Sequence, residues 1–184
     1  MTSVAHTLIP PGPWTVDDLD DFPESPGVRY ELIDGALLVT SEATLQHQRV
    51  SGCLYRWLED RMSDELEVFL PIDVRLSETR QVAPDLTLVR RADSSGARLA
   101  GLPLLVVEVH SPSTRAVDLT LKRQAYGDAG VPSYWLVDPD LLTIRVLELE
   151  NGEYVERGVV RDGEPLSLQL PWQLTLDVTA LQRA

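Results

Sequence analysis

Two acidic residues, Asp85 and Glu108, stand in sequence surroundings that could place them at a reaction centre. Glu108 lies within the apolar run 102–110, whose β-branched residues predict a strand that is buried on both faces. A carboxylate in a buried strand is costly without a partner. Asp85 opens a second predicted strand, 85–90, directly after Pro84. Acids at the ends of neighbouring strands can converge on a divalent cation, and hard oxygen ligands of this kind select Mg²⁺ or Mn²⁺.

The same two acids also have a purely structural interpretation. Alternation with a period of two places Glu108 and His110 on one face of the strand, so His110 is a candidate partner of Glu108. An arginine could pair with Glu108 instead, and Asp85 could cap a turn. The spacing of the residues alone leaves both the metal site and this structural alternative open.

Lys122 is the only lysine in the sequence, since the other 15 of the 16 basic residues are arginines. It lies four residues after Asp118 on a helix predicted over 115–129, so an ordinary ion pair on an exposed face of that helix is one interpretation. The survival of a lysine at this single position favours a specific role for its ammonium group.

The pattern of apolar residues predicts the elements that must position these side chains. Hydrophobic residues recur at helical spacing over 43–62, which predicts a long helix that Ser41 caps and that carries His47 on its core-facing side. Asp34-Gly35 separates two apolar runs and predicts a β-hairpin over 30–40. Further extended segments are expected over 67–76, 133–137, 141–148 and 154–160. The order of elements predicts an α/β or α+β domain with a mixed sheet and few helices.

Four stretches of the sequence together resemble the Uma2 family of restriction-endonuclease-like proteins, within the PD-(D/E)XK nuclease superfamily. They are YELIDG at 30–35, APDLTLV at 83–89, LLVVEVHSPST at 104–114 and DLTLKRQAYGDAGVPSYWLVDP at 118–139. The similarity covers about 28–150 well and the ends of the chain loosely. It implies a restriction-endonuclease-like fold, with a mixed sheet flanked by helices, and a metal-dependent phosphodiesterase site.

The resemblance also implies roles for individual residues. Asp85 and Glu108 match the family's metal-binding acids, and Glu31 matches an accessory acid near the metal. The lysine of the E-x-K element is replaced by His110, and the resemblance places the lysine on the following helix, at Lys122. We therefore expect Asp85, Glu108 and Lys122 to be catalytic, and Asp85, Glu108 and Glu31 to bind Mg²⁺ or Mn²⁺. In such a site Lys122 would orient the attacking water or stabilise developing charge.

Length and composition set the wider expectations. The 184 residues, 43% of them hydrophobic and 24% charged, predict one restriction-endonuclease-like domain over 1–184 with a flexible Pro-rich arm over 1–13. The single cysteine, Cys53, excludes an intrachain disulfide framework and suits a reducing, cytoplasmic compartment. No apolar run approaches the roughly 20 residues of a membrane helix, so we expect no membrane association.

The net charge of −13 bears on the partner. It argues against nonspecific nucleic-acid binding over the whole surface, but it allows a local basic groove or a metal-assisted site. The favoured function is a metal-dependent DNA endonuclease. The alternatives are a noncatalytic binding or regulatory protein with the same fold, and an enzyme for another phosphodiester or nucleotide. We also expect a homodimer, because a double-strand cutter needs two sites and because Tyr134 and Trp135 could form an interface.

Overall fold

The computed structural model describes residues 7–9, 12, 14–22, 28–41, 43–96, 99–111 and 114–182. Of the predicted arm 1–13, residues 7–9 form a strand that pairs with the edge of a sheet. The arm's other residues, apart from Gly12, lie outside the described residues.

The strands of the described residues follow one another as β1 (Thr7–Ile9), β2 (Val28–Ile33), β3 (Ala36–Ser41), β4 (Leu66–Phe69), β5 (Val74–Ser77), β6 (Arg80–Val82), β7 (Leu86–Arg90), β8 (Leu105–Val109), β9 (Ser133–Asp138), β10 (Thr143–Glu150), β11 (Glu153–Val160), β12 (Leu166–Leu168) and β13 (Leu174–Leu176). The first helix, α1, is Leu45–Glu59. The second, which we call α2, has three consecutive segments, Arg115–Val117, Asp118–Lys122 and Arg123–Ala129. Short 3₁₀ turns lie at Val16–Asp21, Arg91–Ser94 and Val178–Leu181.

The strands form a six-stranded sheet in the order β11-β10-β9-β8-β7-β4 and a five-stranded sheet in the order β1-β3-β2-β6-β5. β12 and β13 make a separate pair. In the larger sheet β8 and β9 are parallel and α2 connects them, whereas the other neighbouring strands are antiparallel. The predicted class, an α+β fold with a mixed sheet and few helices, is confirmed. The second sheet was not expected.

Helix α1 lies against the larger sheet through a continuous apolar face. Val50, Leu54 and Leu58 are buried there and belong to the same hydrophobic cluster as the strand residues of that sheet. The helix begins later than predicted, because Thr44 rather than Ser41 supplies the cap: its hydroxyl accepts the backbone N–H of His47 at 3.2 Å. The predicted cap residue belongs to β3 instead.

The extended segment predicted over 67–76 divides between the two sheets. β4 pairs with β7 in the larger sheet, and β5 pairs with β6 in the smaller one. Pro71 lies between these strands and has no N–H for a sheet hydrogen bond, which accounts for the break. The chain therefore passes from one sheet to the other at this point, close to the residues predicted to react.

The aromatic residues that suggested a dimer surface lie in the core. Trp135 packs in the hydrophobic cluster that α1 covers, and Tyr134 packs in a second cluster with Tyr126 and residues of α2. All three side chains are fully buried, so Tyr134 and Trp135 cannot supply an interface. Among the described residues, no helix has the length and apolar character needed to cross a membrane.

Candidate active site

One cleft, of about 540 Å³, gathers all the residues predicted for the site. Its walls come from β2 and β3 of the smaller sheet, from α1, from the end of β8 and from α2. Glu31, Asp85, Glu108 and Lys122 line it together. Residues that are far apart in the sequence thus meet where the two sheets and both helices come together.

Lys122 stands between two of the predicted acids. Its Nζ lies 2.9 Å from Oε1 of Glu31 and 3.0 Å from Oε1 of Glu108. The contact with Asp118, four residues earlier on the helix, is longer at 3.9 Å. Only 4% of Lys122 is exposed, so the interpretation of this lysine as half of a pair on a helix surface is wrong.

A turn of π-helix brings Lys122 to this position. The segment Asp118–Lys122 is π-helical, although the residues on both sides of it are α-helical. Such turns often occur at functional sites, because they rotate the following residues relative to a regular helix. Both ends of the segment, Asp118 and Lys122, are buried. The sequence predicted only a continuous helix over 115–129, and it contains no evident signal for the wider turn.

Glu108 accepts two hydrogen bonds on the same oxygen. Besides Lys122, the hydroxyl of Tyr126 donates to Oε1 of Glu108 at 2.6 Å. Burial raises the pKa of the Glu108 carboxyl well above its usual range, the positive charge of Lys122 lowers it, and the neighbouring carboxylates raise it further. Burial alone would lower the pKa of Lys122, but the carboxylates of Glu108, Glu31 and Asp118 raise it above its ordinary value. The lysine is therefore a firmly charged ammonium.

Asp85 is held in place from two sides. Its Oδ2 accepts from Nε2 of His47 at 3.0 Å and from the backbone N–H of Val109 at 2.8 Å. On α1, the hydroxyl of Ser51 donates to the carbonyl of His47 at 2.9 Å. The predicted position of His47, on the core-facing side of a long helix, is correct. No local pattern indicates that its partner would be Asp85, which lies 38 residues later.

His110 does not pair with Glu108, and that prediction is wrong. Its Nδ1 lies 3.2 Å from Oδ2 of Asp118 instead, because β8 ends at Val109 and α2 then turns Asp118 back towards the strand. The other oxygen, Oδ1 of Asp118, has no hydrogen-bond partner among the described residues. Sequence reasoning saw Asp118 only as a surface partner of Lys122, and so missed its place beside the site.

The site carries more negative than positive charge. Four carboxylates are buried here, those of Glu31, Asp85, Glu108 and Asp118. The buried ammonium of Lys122 contacts three of them, Glu31, Glu108 and Asp118. A divalent cation would compensate this excess. Among the described residues, no three His, Cys, Asp or Glu side chains form a ready-made metal site. Mg²⁺ commonly binds through one or two carboxylates and fills its other positions with water or substrate phosphate. The carboxylates of Asp85 and Glu108, which line one cleft, fit such a cation.

Glu31 has other partners. Its Oε1 accepts both from Lys122 and from the backbone N–H of Ala83 at 2.8 Å. These contacts suit a residue that holds Lys122 in place. Whether Glu31 also contacts a metal, as the sequence resemblance implied, stays a prediction.

Two comparisons with known proteins bear on this arrangement. A family model described as "Uma2: Putative restriction endonuclease" matches residues 16–179. The fold is similar to the crystal structure of "a putative nuclease belonging to DUF820 from Anabaena variabilis ATCC 29413", with a TM-score of 0.72 and 18% sequence identity. That similarity covers 92% of this chain and 97% of the other. No curated protein matches the sequence.

Proposed function

This chain belongs to the Uma2 family of restriction-endonuclease-like proteins, and from that premise we propose that it is a metal-dependent phosphodiesterase that cuts DNA. Family and fold indicate a restriction-endonuclease-like nuclease. One observation carries the finer proposal. Asp85, Glu108 and Lys122 line a single cleft, with the lysine Nζ 3.0 Å from the glutamate carboxylate. Two oxygen ligands beside a fixed ammonium are the groups that phosphodiester hydrolysis requires.

In this proposal Asp85 and Glu108 hold a divalent cation, Mg²⁺ or Mn²⁺, with Glu31 as a further ligand or as a partner of metal-bound water. When bound, such a cation supplies a water of lowered pKa and withdraws charge from a phosphate oxygen. Lys122 donates hydrogen bonds to the attacking water or to the phosphate oxygen on which charge develops.

The surrounding residues fix this geometry before substrate arrives. His47 and the Val109 amide orient Asp85, while Tyr126 and Lys122 orient Glu108. Positions set in advance need no reorganisation during the reaction, which is the main source of electrostatic catalysis.

The test is cleavage of supercoiled and of single-stranded DNA with Mg²⁺ or Mn²⁺, using Asp85→Asn and Glu108→Gln as site variants. Glu148→Gln is the matched control, because Glu148 is also a buried glutamate but does not line the cleft and pairs with Arg157 of the neighbouring strand β11. We expect wild type and Glu148→Gln to cut alike, and the site variants to lose about 10²-fold or more of the rate. Equal nicking by all four proteins would mean a contaminating nuclease and would remove the proposal.

A noncatalytic role in nucleic-acid binding or regulation is the second candidate. It is favoured by the net charge of −13 and by the two carboxylates that neutralise Lys122. This role predicts DNA binding without cleavage in either metal, and unchanged binding in Glu108→Gln. The same set of proteins therefore distinguishes the two functions.

We further propose that the enzyme acts as a cytoplasmic homodimer and that 1–184 is one domain. Cutting both strands of a duplex takes two sites, and twofold pairing is the commonest way to provide them. Light scattering should give about twice 20.5 kDa at micromolar concentration, whereas a mass of 20.5 kDa would reject the dimer. A single cooperative unfolding transition would support one domain.

A further inference from the structure

The acidic balance of the chain raises the question of which charge in the cleft could attract a polyanion. Arg29, His47 and Lys122 are the basic side chains that line it. His47 is bonded to Asp85, and Lys122 is enclosed by carboxylates. These two side chains are committed to the protein's own acids, which leaves Arg29 among the described basic residues of the cleft.

Arg29 differs from the other two in its partners. Its Nη1 donates one hydrogen bond, to the backbone carbonyl of Ala83 at 3.2 Å, and the residue is half-buried. Within the described part of the chain its guanidinium has no carboxylate at ion-pair distance. A guanidinium carries five N–H donors, so one hydrogen bond leaves most of its donor capacity for a ligand.

The position of Arg29 is tied to the predicted catalytic residues. It lies two residues before Glu31 on β2, so both side chains leave the same face of the strand, towards the cleft. Ala83 links them, because its carbonyl accepts from Arg29 while its N–H donates to Glu31 at 2.8 Å. Glu31 in turn contacts Lys122. A phosphate bound by Arg29 would therefore stand at a defined place relative to Lys122.

We propose that Arg29 is a substrate-binding residue that holds a backbone phosphate of the polynucleotide strand, beside the phosphate that is cut. This inference rests on the proposed nuclease function. The planar fork of a guanidinium suits two phosphate oxygens at once. Neutral hydrogen-bonding side chains line the same cleft, among them Thr40, Thr44 and Gln48. A contact of this kind raises the affinity and fixes the position of the strand in the cleft, but it does not distinguish one base sequence from another.

The experiment measures binding of fluorescent duplex and single-stranded DNA by anisotropy in EDTA, so that no cleavage occurs, over a series of salt concentrations. Each phosphate neutralised contributes about 0.9 to the slope of log affinity against log salt for duplex, and about 0.7 for single strands. We expect Arg29→Gln to lower the magnitude of that slope by the contribution of about one phosphate contact, and to weaken binding to all sequences alike. Arg29→Lys keeps the charge but loses the planar guanidinium with its paired donors. It should show the same salt dependence as wild type but a lower affinity.

Arg49→Gln is the matched control. Arg49 is exposed on α1, has no ion-pair partner in the described part of the chain and does not line the cleft, yet its loss changes the net charge equally. It should bind DNA like wild type.

If Arg29→Gln and Arg49→Gln lower the slope equally, the role of Arg29 is overturned while the nuclease proposal stands. If wild type binds neither DNA, the role of Arg29 is overturned, and the cleavage assay in Mg²⁺ or Mn²⁺ decides the nuclease proposal separately. The melting temperature and Mn²⁺ affinity of Arg29→Gln should match those of wild type. If they do not, the comparison is made with Arg29→Lys instead.

Discussion

The hydroxyl of Tyr126 donates to Oε1 of Glu108 at 2.6 Å, the same oxygen that Lys122 contacts at 3.0 Å. Both donors come from α2, four residues apart, and both are buried. Burial raises the pKa of the Tyr126 hydroxyl, so it remains a donor throughout the physiological range. One helix thus fixes the orientation of a carboxylate that projects from a strand of the larger sheet.

Loss of this hydroxyl should loosen the carboxylate. Tyr126→Phe removes a buried hydrogen bond to the Glu108 carboxyl, for which the expected loss is about 1–3 kcal/mol of unfolding free energy. Removing a group that orients a metal ligand typically weakens metal binding by about 10–100-fold. Urea unfolding and Mn²⁺ calorimetry of the variant measure the two effects.

Tyr134→Phe is the control for that variant. Tyr134 is equally buried, but its hydroxyl donates to the backbone carbonyl of Asp118 at 3.0 Å rather than to a site carboxylate. We expect a loss of about 0.5–1.5 kcal/mol in stability with Mn²⁺ affinity unchanged. Equal Mn²⁺ binding by the two variants would contradict a role of Tyr126 in positioning Glu108.

Substitution of Lys122 by arginine tests whether turnover depends on the charge of this side chain or on the compact shape of its ammonium group. Lys122→Arg keeps the charge, but a guanidinium is wider and planar and does not fit between Glu31 and Glu108 as a compact ammonium does. We expect a fall in turnover of about 10²-fold or more. Cleavage rates of wild type and variant give the comparison, and full activity of Lys122→Arg would reduce the lysine to a structural charge.

Lys122→Met tests the structural part of the same interaction. It leaves Glu31 and Glu108 buried without their cation, and breaking a buried ion pair costs about 3–5 kcal/mol. Melting temperature should therefore fall sharply, and saturating Mn²⁺ should restore part of it by supplying positive charge. A variant as stable as wild type would contradict a stabilising ion pair between Lys122 and these carboxylates.

The two glutamates should differ in their effect on metal binding. Glu108→Gln removes a proposed ligand, so calorimetry should show the Mn²⁺ site lost. Glu31→Gln removes a partner of Lys122, and we expect weaker turnover with a smaller change in Mn²⁺ affinity. Unchanged Mn²⁺ binding in Glu108→Gln would remove the metal-site proposal. Equal loss in both variants would instead make Glu31 a ligand, as the sequence resemblance implied.

The raised pKa of Glu108 predicts a specific pH dependence of stability. A raised pKa means that the folded state holds the proton more tightly than the unfolded state, whose value is near 4.5. The stability contributed by this group is therefore present below pH 4.5 and is lost as the pH rises through the folded-state pKa. Glu108→Gln cannot ionise, so the unfolding free energy of wild type minus that of the variant should fall across this range.

Lys122 does not obscure that measurement. Its pKa is also raised, so its contribution is present below its ordinary value of 10.5 and is lost only as the pH rises above it. Urea unfolding in EDTA between pH 4 and pH 9 isolates the effect of Glu108. Parallel stability curves for wild type and Glu108→Gln would contradict a raised pKa.

The sequence predicted which residues lie together better than it predicted the contacts between them. Asp85, Glu108 and Lys122 were identified from their order along the chain and from the resemblance, and the structure brings them into one cleft. The partner of His47 was not predictable, because it depends on how α1 lies over the sheet. The ring of Tyr126 packs in the core, and only the three-dimensional arrangement directs its hydroxyl to Glu108.

For the fold as well, features set by nearby residues were predictable from the sequence, and features set by distant contacts were not. Local patterns predicted the helix over 43–62, the hairpin at Asp34-Gly35 and the strand that contains Glu108, because each depends on periodicity or on turn residues close by. The partition of the strands into two sheets depends on contacts between distant segments, such as the single pairing of Leu32 with Gln81 that joins β2 to β6. No local pattern determines such a pairing.

The burial of Lys122 has a practical consequence for following the protein in solution. It is the only side-chain amine in the sequence, and it is 4% exposed and enclosed by carboxylates. Amine-directed reagents such as succinimidyl esters should therefore modify this side chain only when the cleft opens or the chain unfolds. The extent of labelling at Lys122, read by peptide mass spectrometry, would report the opening of the cleft without any engineered probe.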